Sequence, residues 1–154
     1  MVTDTLDQPA TGRFVASEHR LPVRVYYEDT DAGGIVYHAS YLRFMERART
    51  DMLRLLGIEL RAASQAGIGH FVVAEVVIRY RRPAHLDDAL YVESRIIGMQ
   101  LTSGLIQQRV MRGEELVSEA DVTVVFVNSD GRPKRQPAEW LAAFQRLQGE
   151  TGST

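Results

Sequence analysis

Residues 25–57 read VYYEDTDAGGIVYHASYLRFMERARTDMLRLLG, and the period of the apolar residues changes inside this stretch. In LPVRVYYE (21–28) the chain alternates as a strand does, with Val23, Val25 and Tyr27 on one side and Arg24, Tyr26 and Glu28 on the other. After His38 the spacing becomes helical. Tyr41, Met45, Ala48, Met52 and Leu56 fall on one stripe, which Leu42, Phe44, Leu53 and Leu55 widen. Arg43, Arg47, Thr50 and Arg54 take the opposite side, so the helix is predicted to lie on a sheet with one wet face and to stop at Gly57. Arg49 falls inside the apolar arc, where an unpaired charge is costly; a carboxylate or carbonyl partner is expected, with Glu46 the nearest candidate.

Between strand and helix lies an acidic, glycine-bearing loop. Gly33 and Gly34 permit backbone angles that a Cβ resists and let a ligand approach the main chain. Asp31 and His38 flank them, which places a carboxylate and an imidazole beside the unpaired N–H groups of a helix start. Such donors, with the positive helix end, polarise a carbonyl and hold a developing oxyanion, while Asp31 either attacks the carbon or deprotonates a water. Acyl transfer to water suits the loop. Spacing leaves a plainer reading open: Asp29 and Asp31 can cap the turn, and His38 can begin a helix without chemical duty.

Downstream, FVVAEVVIRYRRP (71–83) reads as a strand with Val72, Ala74, Val76, Ile78 and Tyr80 on its apolar face, closed by Pro83. Residues 90–97, 105–111 and 116–127 follow as strands, separated by turn signals short enough to make neighbours antiparallel. In the last of them Leu116, Ala120, Val122, Val124 and Phe126 share a face. LRAASQAGIG (60–69) reads as a small-residue connection, and PAEWLAAFQRL (137–147) as a short closing helix behind a first-turn proline. The expected fold class is α+β, an antiparallel sheet of about five strands wrapped around one long α-helix. It is expected to span residues 18–148, with a flexible tail at 1–17 and another at 149–154.

The 154 residues are 45% hydrophobic and 25% charged with a formal net charge of -2. This length suits one domain that buries roughly 70% of its unfolded surface, and the charge lacks the basic excess of a nucleic-acid binder. With no cysteine, thiolate metal sites and a cysteine nucleophile are excluded. His19, His70 and His85 show no metal-ligand spacing, so no metal is expected. No apolar signal core opens the chain and no run nears the roughly 20 apolar residues of a membrane span. A soluble, cytoplasmic protein without membrane insertion is expected.

YxEDTDAGGIVYHASYLRFMERAR, from Tyr26 onward, resembles the signature of the 4-hydroxybenzoyl-CoA thioesterase family of hotdog-fold proteins, above all its YbgC-type, Tol-Pal-associated acyl-CoA thioesterases. RYRRPAHLDDALYVESRI (79–96) and EADVTVVFVN (119–128) carry the likeness further along the chain. The resemblance implies a hydrolase of short-chain, long-chain or aromatic acyl thioesters, on coenzyme A or acyl carrier protein, with no cofactor beyond the coenzyme A of the substrate. It makes Asp31 the catalytic carboxylate and His38 the residue at the helix entrance that assists it. Tyr27 becomes a pocket residue, Gly34, Ile35 and Val36 substrate-binding residues, and Asp29 structural. It also implies a homo-oligomer, a dimer or tetramer, with two sheets paired edge to edge and the site between subunits.

Arg79, Arg81, Arg82 and Arg112 are candidates for the phosphates of coenzyme A, and equally for solvated strand ends. Two other functions stand beside hydrolysis: a non-catalytic acyl-carrier or Tol-Pal-associated adaptor, and an enoyl-thioester dehydratase. The second resembles this chain only at Gly69-His70-Phe71, where Val72 replaces the proline that should follow.

Overall fold

A computed structural model describes residues 5–151. Strands β1 (Arg13–Val15), β2 (Glu18–Arg24), β3 (His70–Tyr80), β4 (Ala89–Met99), β5 (Ser103–Arg112) and β6 (Glu115–Val127) form one antiparallel sheet in the order β1-β2-β4-β5-β6-β3. Helix α1 (Ser40–Leu55) lies across β2, β4 and β5; α2 (Leu60–Gln65) follows it, and α3 (Ala138–Thr151) closes the chain. One sheet wrapped on one long helix is the hotdog arrangement.

The helical period is realised as burial. Tyr41, Phe44, Met45, Ala48, Met52 and Leu53 are all buried against the sheet. At about 1.5–3 kcal/mol for each large side chain removed from water, this stripe contributes on the order of 10 kcal/mol before conformational entropy opposes it. The arc is narrower than expected: Leu42 and Leu55, which the spacing counts as widening it, are 41% and 42% exposed. They sit on the shoulders of the helix, beyond the reach of the sheet.

Two buried polar contacts fix the helix on that surface. Gln108, fully buried on β5, donates through Nε2 to Met45 O (2.9 Å) and Ser94 Oγ (2.8 Å), and its Oε1 accepts from Arg49 Nη1 at 2.8 Å. Arg49 therefore finds an amide oxygen rather than Glu46, and it forms no ion pair among the described residues. One turn on, Asp51 Oδ2 lies 2.7 Å from His19 Nε2 and accepts the Gly12 amide at 2.9 Å, while Oδ1 accepts Thr11 Oγ1 at 2.9 Å. A Cβ on Gly12 would meet Arg20 O at 2.4 Å, so only glycine lets the chain come this close.

That second contact explains β1. Residues 13–15 fall within the stretch read as a loose tail, yet they pair with β2 in the register Phe14↔His19 and raise the sheet from about five strands to six. Three residues are too few to show alternation, and what holds them is a carboxylate some forty positions away.

Other boundaries move as well. The first long strand ends at Arg24 rather than Glu28, because Asp29 Oδ2 accepts the Tyr26 amide at 2.8 Å and residues 27–29 wind into a 3-10 turn. Strand β3 shifts register between Val73 and Glu75, so the expected even-numbered apolar face breaks there. As the edge strand it leaves Val72, Val73 and Val77 exposed while Phe71, Val76 and Ile78 are half-buried. Helix α2 forms where a plain connection is expected, and α3 runs on past the expected domain end at 148 to Thr151. Phe71 and Phe126 pack on Trp140 of α3 at ring-centroid distances of 6.0 and 5.3 Å. Among the described residues no helix is long and apolar enough to cross a membrane.

Burial opposes ionisation of Asp51, but hydrogen bonds from His19, the Gly12 amide and Thr11 outweigh it and hold its pKa below the usual carboxylate value. A depressed folded-state pKa stabilises the fold above the unfolded value, roughly 3.9, and the contribution disappears as pH falls through the lower folded value. Asp51→Asn is expected to cost about 1–3 kcal/mol at pH 7, read from urea midpoints, with the gap to wild type closing as pH falls below the ordinary carboxylate range.

Candidate active site

The loop after β2 is built on two aspartates with different surroundings. Asp29 is buried; its carboxylate holds the Tyr26 amide, and its carbonyl accepts from the Tyr37 amide (2.9 Å) and from Ser40 Oγ (3.0 Å). It ties the end of the strand to the start of α1. Asp31 is exposed. Its Oδ1 accepts the Gly33 amide at 2.8 Å, leaving Oδ2 without a partner among the described residues. Its main chain exchanges hydrogen bonds with Ile35 and with Gly34, whose φ of 83° is the left-handed conformation that glycine adopts freely. The loop thus presents one oriented carboxylate.

The amino end of α1 carries open donors. The Ser40 amide donates to Tyr37 O and that of Leu42 to Ala39 O, whereas the amides of His38, Ala39 and Tyr41 have no hydrogen-bond partner among the described residues. No side chain caps the helix. His38 O accepts from Tyr80 Oη at 3.0 Å, and the His38 ring lies between Tyr37 and Tyr80 at centroid distances of 4.5 and 6.3 Å. Burial raises the pKa of both Tyr41 and Tyr80, so each remains a neutral hydroxyl across the physiological range.

These elements surround a cavity of about 360 Å³. Asp31, Ile35, Val36 and His38 line it together, with Tyr41, Tyr80, Arg81, Arg82 and Pro83 as its other walls. Tyr27, 82% exposed in its turn, does not line it, and neither does Gly34. Tyr80 is the residue that the sequence hides best: alternation assigns it to the apolar face of a strand, and only its place at the end of edge strand β3 brings it to His38.

The far wall hangs on Arg112. It donates to Asp88 Oδ2 (2.8 Å) and Pro83 O (3.1 Å) and pairs with Glu115, and the carboxylates of Glu115 and Asp88 raise its pKa. Burial pushes Asp88 up, but the His85 amide and Arg112 pull its pKa below the usual range. The turn so held joins the loop through the Val36 amide, which donates to Ala84 O at 2.8 Å, and through a bridge between Ile35 and His85. Of the arginines considered for phosphate, Arg112 is committed to this turn. Arg81 pairs with Glu119 and Arg82 with Glu115, yet both keep half or more of their side chains in solvent beside the cavity.

Gly69-His70-Phe71 has a structural account. Gly69 has φ 140° and stands so close to Val127 O that a Cβ would lie at 2.6 Å, while Phe71 belongs to the aromatic cluster under α3. His70 lies outside the Asp31 cavity.

Comparison with known proteins bears on this site. A family model described as the thioesterase-like superfamily matches residues 25–146. The chain is 45% identical over 129 residues to the acyl-CoA thioester hydrolase YbgC of Escherichia coli O6:H1, covering 82% of this chain and 96% of that one. It is likewise 45% identical over 127 residues to the acyl-CoA thioesterase YbgC of Haemophilus influenzae, covering 82% and 93%. Among solved structures, a probable thioesterase from Bartonella henselae superposes with a TM-score of 0.75 at 35% identity, over 78% of this chain and 99% of that one.

Tyr80→Phe removes one hydrogen bond from the helix entrance and leaves the ring packing in place. It is expected to lower stability by about 0.5–1.5 kcal/mol, measured by urea unfolding.

Proposed function

The chain belongs to the thioesterase-like superfamily, and on that footing we propose a mechanism in which Asp31 carries out thioester hydrolysis at the amino end of α1. The protein is an acyl-CoA thioester hydrolase. The observation that carries the mechanism is the exposed Asp31 carboxylate, oriented by the Gly33 amide, on the wall of a cavity at the helix start whose His38, Ala39 and Tyr41 amides are unpaired.

A thioester carbonyl in that cavity accepts these amides, and the positive end of the helix favours the charge that grows on its oxygen. Asp31 either attacks the carbonyl carbon, giving an anhydride that water opens, or takes a proton from the water that attacks. Both routes consume one water and release a free acid and the coenzyme A thiol, the sulfur receiving the proton. His38 holds one wall, and Tyr80 fixes its carbonyl and with it the direction of the turn. Ile35 and Val36 offer apolar surface to the substrate, with Tyr27 and Gly34 at the outer rim of the loop. The exposed guanidinium groups of Arg81 and Arg82 suit a phosphate of the carrier, whether coenzyme A or acyl carrier protein. The chemistry calls for no cofactor beyond the coenzyme A of the substrate, and the cytoplasm, where acyl-CoA is made and used, is its proper location.

The proposal includes a homo-oligomer, a dimer or tetramer. The 11 residues of β3 pair with β6 on one side, end the sheet with an open outer edge and expose Val72, Val73 and Val77. Such an edge invites a strand from a second copy. Antiparallel pairing sets the beginning of one β3 against the Tyr80 end of the other and puts the site between subunits.

Asp31→Asn, with wild type beside it, is expected to slow thiol release from a panel of short, long and aromatic acyl-CoA thioesters by at least about 100-fold. Equal rates in the two proteins would refute the assignment. Val77→Lys is expected to shift the protein to monomer in sedimentation velocity and to reduce turnover with it; an unchanged oligomer rules out pairing through β3.

A further inference from the structure

We propose that Asp88 and Arg112 are positioning residues for the hydrolysis: their ion pair fixes the turn on which the Asp31 loop rests, and so sets where the Asp31 carboxylate stands relative to the amino end of α1. This rests on the Asp31 mechanism above and reaches two residues that do not line its cavity.

Inside the loop Asp31 is well defined. Its Oδ1 accepts the Gly33 amide, its own amide donates to Ile35 O at 2.9 Å, and Thr30 bridges to Val36. These contacts travel with the loop and do not place it. Two anchors place it. The stem is tied to the start of α1 by Asp29, whose carbonyl accepts from the Tyr37 amide and Ser40 Oγ. The tip rests on residues 83–88, where the Val36 amide donates to Ala84 O at 2.8 Å and Ile35 bridges to His85. Among the described residues, no other backbone hydrogen bond joins residues 31–36 to a part of the chain outside the loop. A loop held only at its stem pivots about it, so the turn decides the angle of the carboxylate.

The two halves of that turn are held differently. Its second half is tied to the end of β2: the Val25 amide donates to Asp88 O and the Asp87 amide to Val25 O, both at 3.0 Å. Asp87 takes φ 71° there, a left-handed conformation uncommon for a residue with a side chain. The first half, which the loop touches, is held by the Asp88 amide on His85 O at 3.1 Å and otherwise by side chains. Asp88 Oδ2 accepts both the His85 amide, at 2.9 Å, and Arg112 Nη1, at 2.8 Å, and the same nitrogen reaches Pro83 O at 3.1 Å. Bonds to a carboxylate are charge-assisted and stronger than neutral ones. Arg112 is fixed in turn by Glu115 at the start of β6, so the clamp carries the position of the β5–β6 hairpin to the loop.

The arrangement also separates chemistry from binding. Arg82, the cavity arginine suited to a carrier phosphate, shares Glu115 with Arg112 and makes no ion pair with Asp88. A change at Asp88 therefore disturbs the angle of Asp31 and leaves the cavity lining in place.

The test is steady-state kinetics of the whole protein, using the acyl-CoA of the panel that the wild type turns over fastest. Misplacing a reacting group by about 1 Å can cost on the order of 100-fold, so Asp88→Ala is expected to lower kcat at least about tenfold, with KM within about twofold. Asp88→Asn keeps an acceptor without the charge and is expected to recover part of the rate, with a loss of about threefold. In an Asp31→Asn background, adding Asp88→Ala is expected to cost less than about twofold more, because the carboxylate it positions is gone. Wild-type kcat in Asp88→Ala, a loss confined to KM, or a loss that multiplies in full with that of Asp31→Asn overturns the proposal. Should Asp88→Ala not fold, Asp88→Asn enters the same cycle, and a wild-type kcat there is equally decisive. Asp31→Asn by itself reports on the underlying mechanism: full activity in it refutes that mechanism, whereas a slow Asp31→Asn beside an unimpaired Asp88→Ala refutes the positioning alone.

Discussion

The structure depends on how α1 is held against the sheet. Apolar burial of Tyr41, Phe44, Met45, Ala48, Met52 and Leu53 supplies most of the attraction, but an apolar stripe has no preferred register and can slide or roll. Directional contacts remove that freedom. Gln108 reaches from β5 to a carbonyl in the middle of the helix, and Asp51 reaches from the helix to His19 and the Gly12 amide. These contacts form together only at one position of the helix, and breaking buried polar contacts is expensive. The axis, rotation and amino end of α1 are thereby set together.

Everything in the loop that carries Asp31 inherits that placement. Asp29 spends both its carboxylate and its carbonyl on joining the strand end to the helix start, which leaves Asp31, two residues on, free of structural duty except for the Gly33 amide. One aspartate is buried and bound so that the other can stand in solvent at a defined angle. The helix start, uncapped by any side chain, keeps its donors open. A helix serving only as a structural element would gain about 1 kcal/mol from a capping side chain at that end. Doing without one is consistent with donors kept for a substrate carbonyl.

Strand β3 has three tasks at once. Its end supplies Tyr80 to the Asp31 cavity, its beginning walls an apolar cavity beside Arg49, and its outer edge is the open edge of the sheet. The register shift between Val73 and Glu75 serves this division by changing which side chains face inward partway along. The same strand therefore presents apolar residues both to the core and to the outside.

The sequence by itself determined the local facts: the helical period of α1, the places of β4, β5 and β6, the apolar face of β6 from Ala120 to Phe126, the turns between them, and a loop in which Asp31 and His38 flank two glycines at a helix start. Each is written in residues close together, because periodicity and turn chemistry act over a few positions. Only the tertiary structure decided that residues 13–15 form a strand, that Arg49 pairs with Gln108 instead of Glu46, that Tyr27 leaves the strand for an exposed turn, and that Tyr80, Arg82 and Pro83 share a cavity with Asp31. Apart from the Tyr27 turn, which Asp29 sets by accepting the Tyr26 amide three positions away, these depend on partners some forty to sixty positions away, brought close when the sheet closes on the helix. No local pattern records a contact that exists only once the chain has folded.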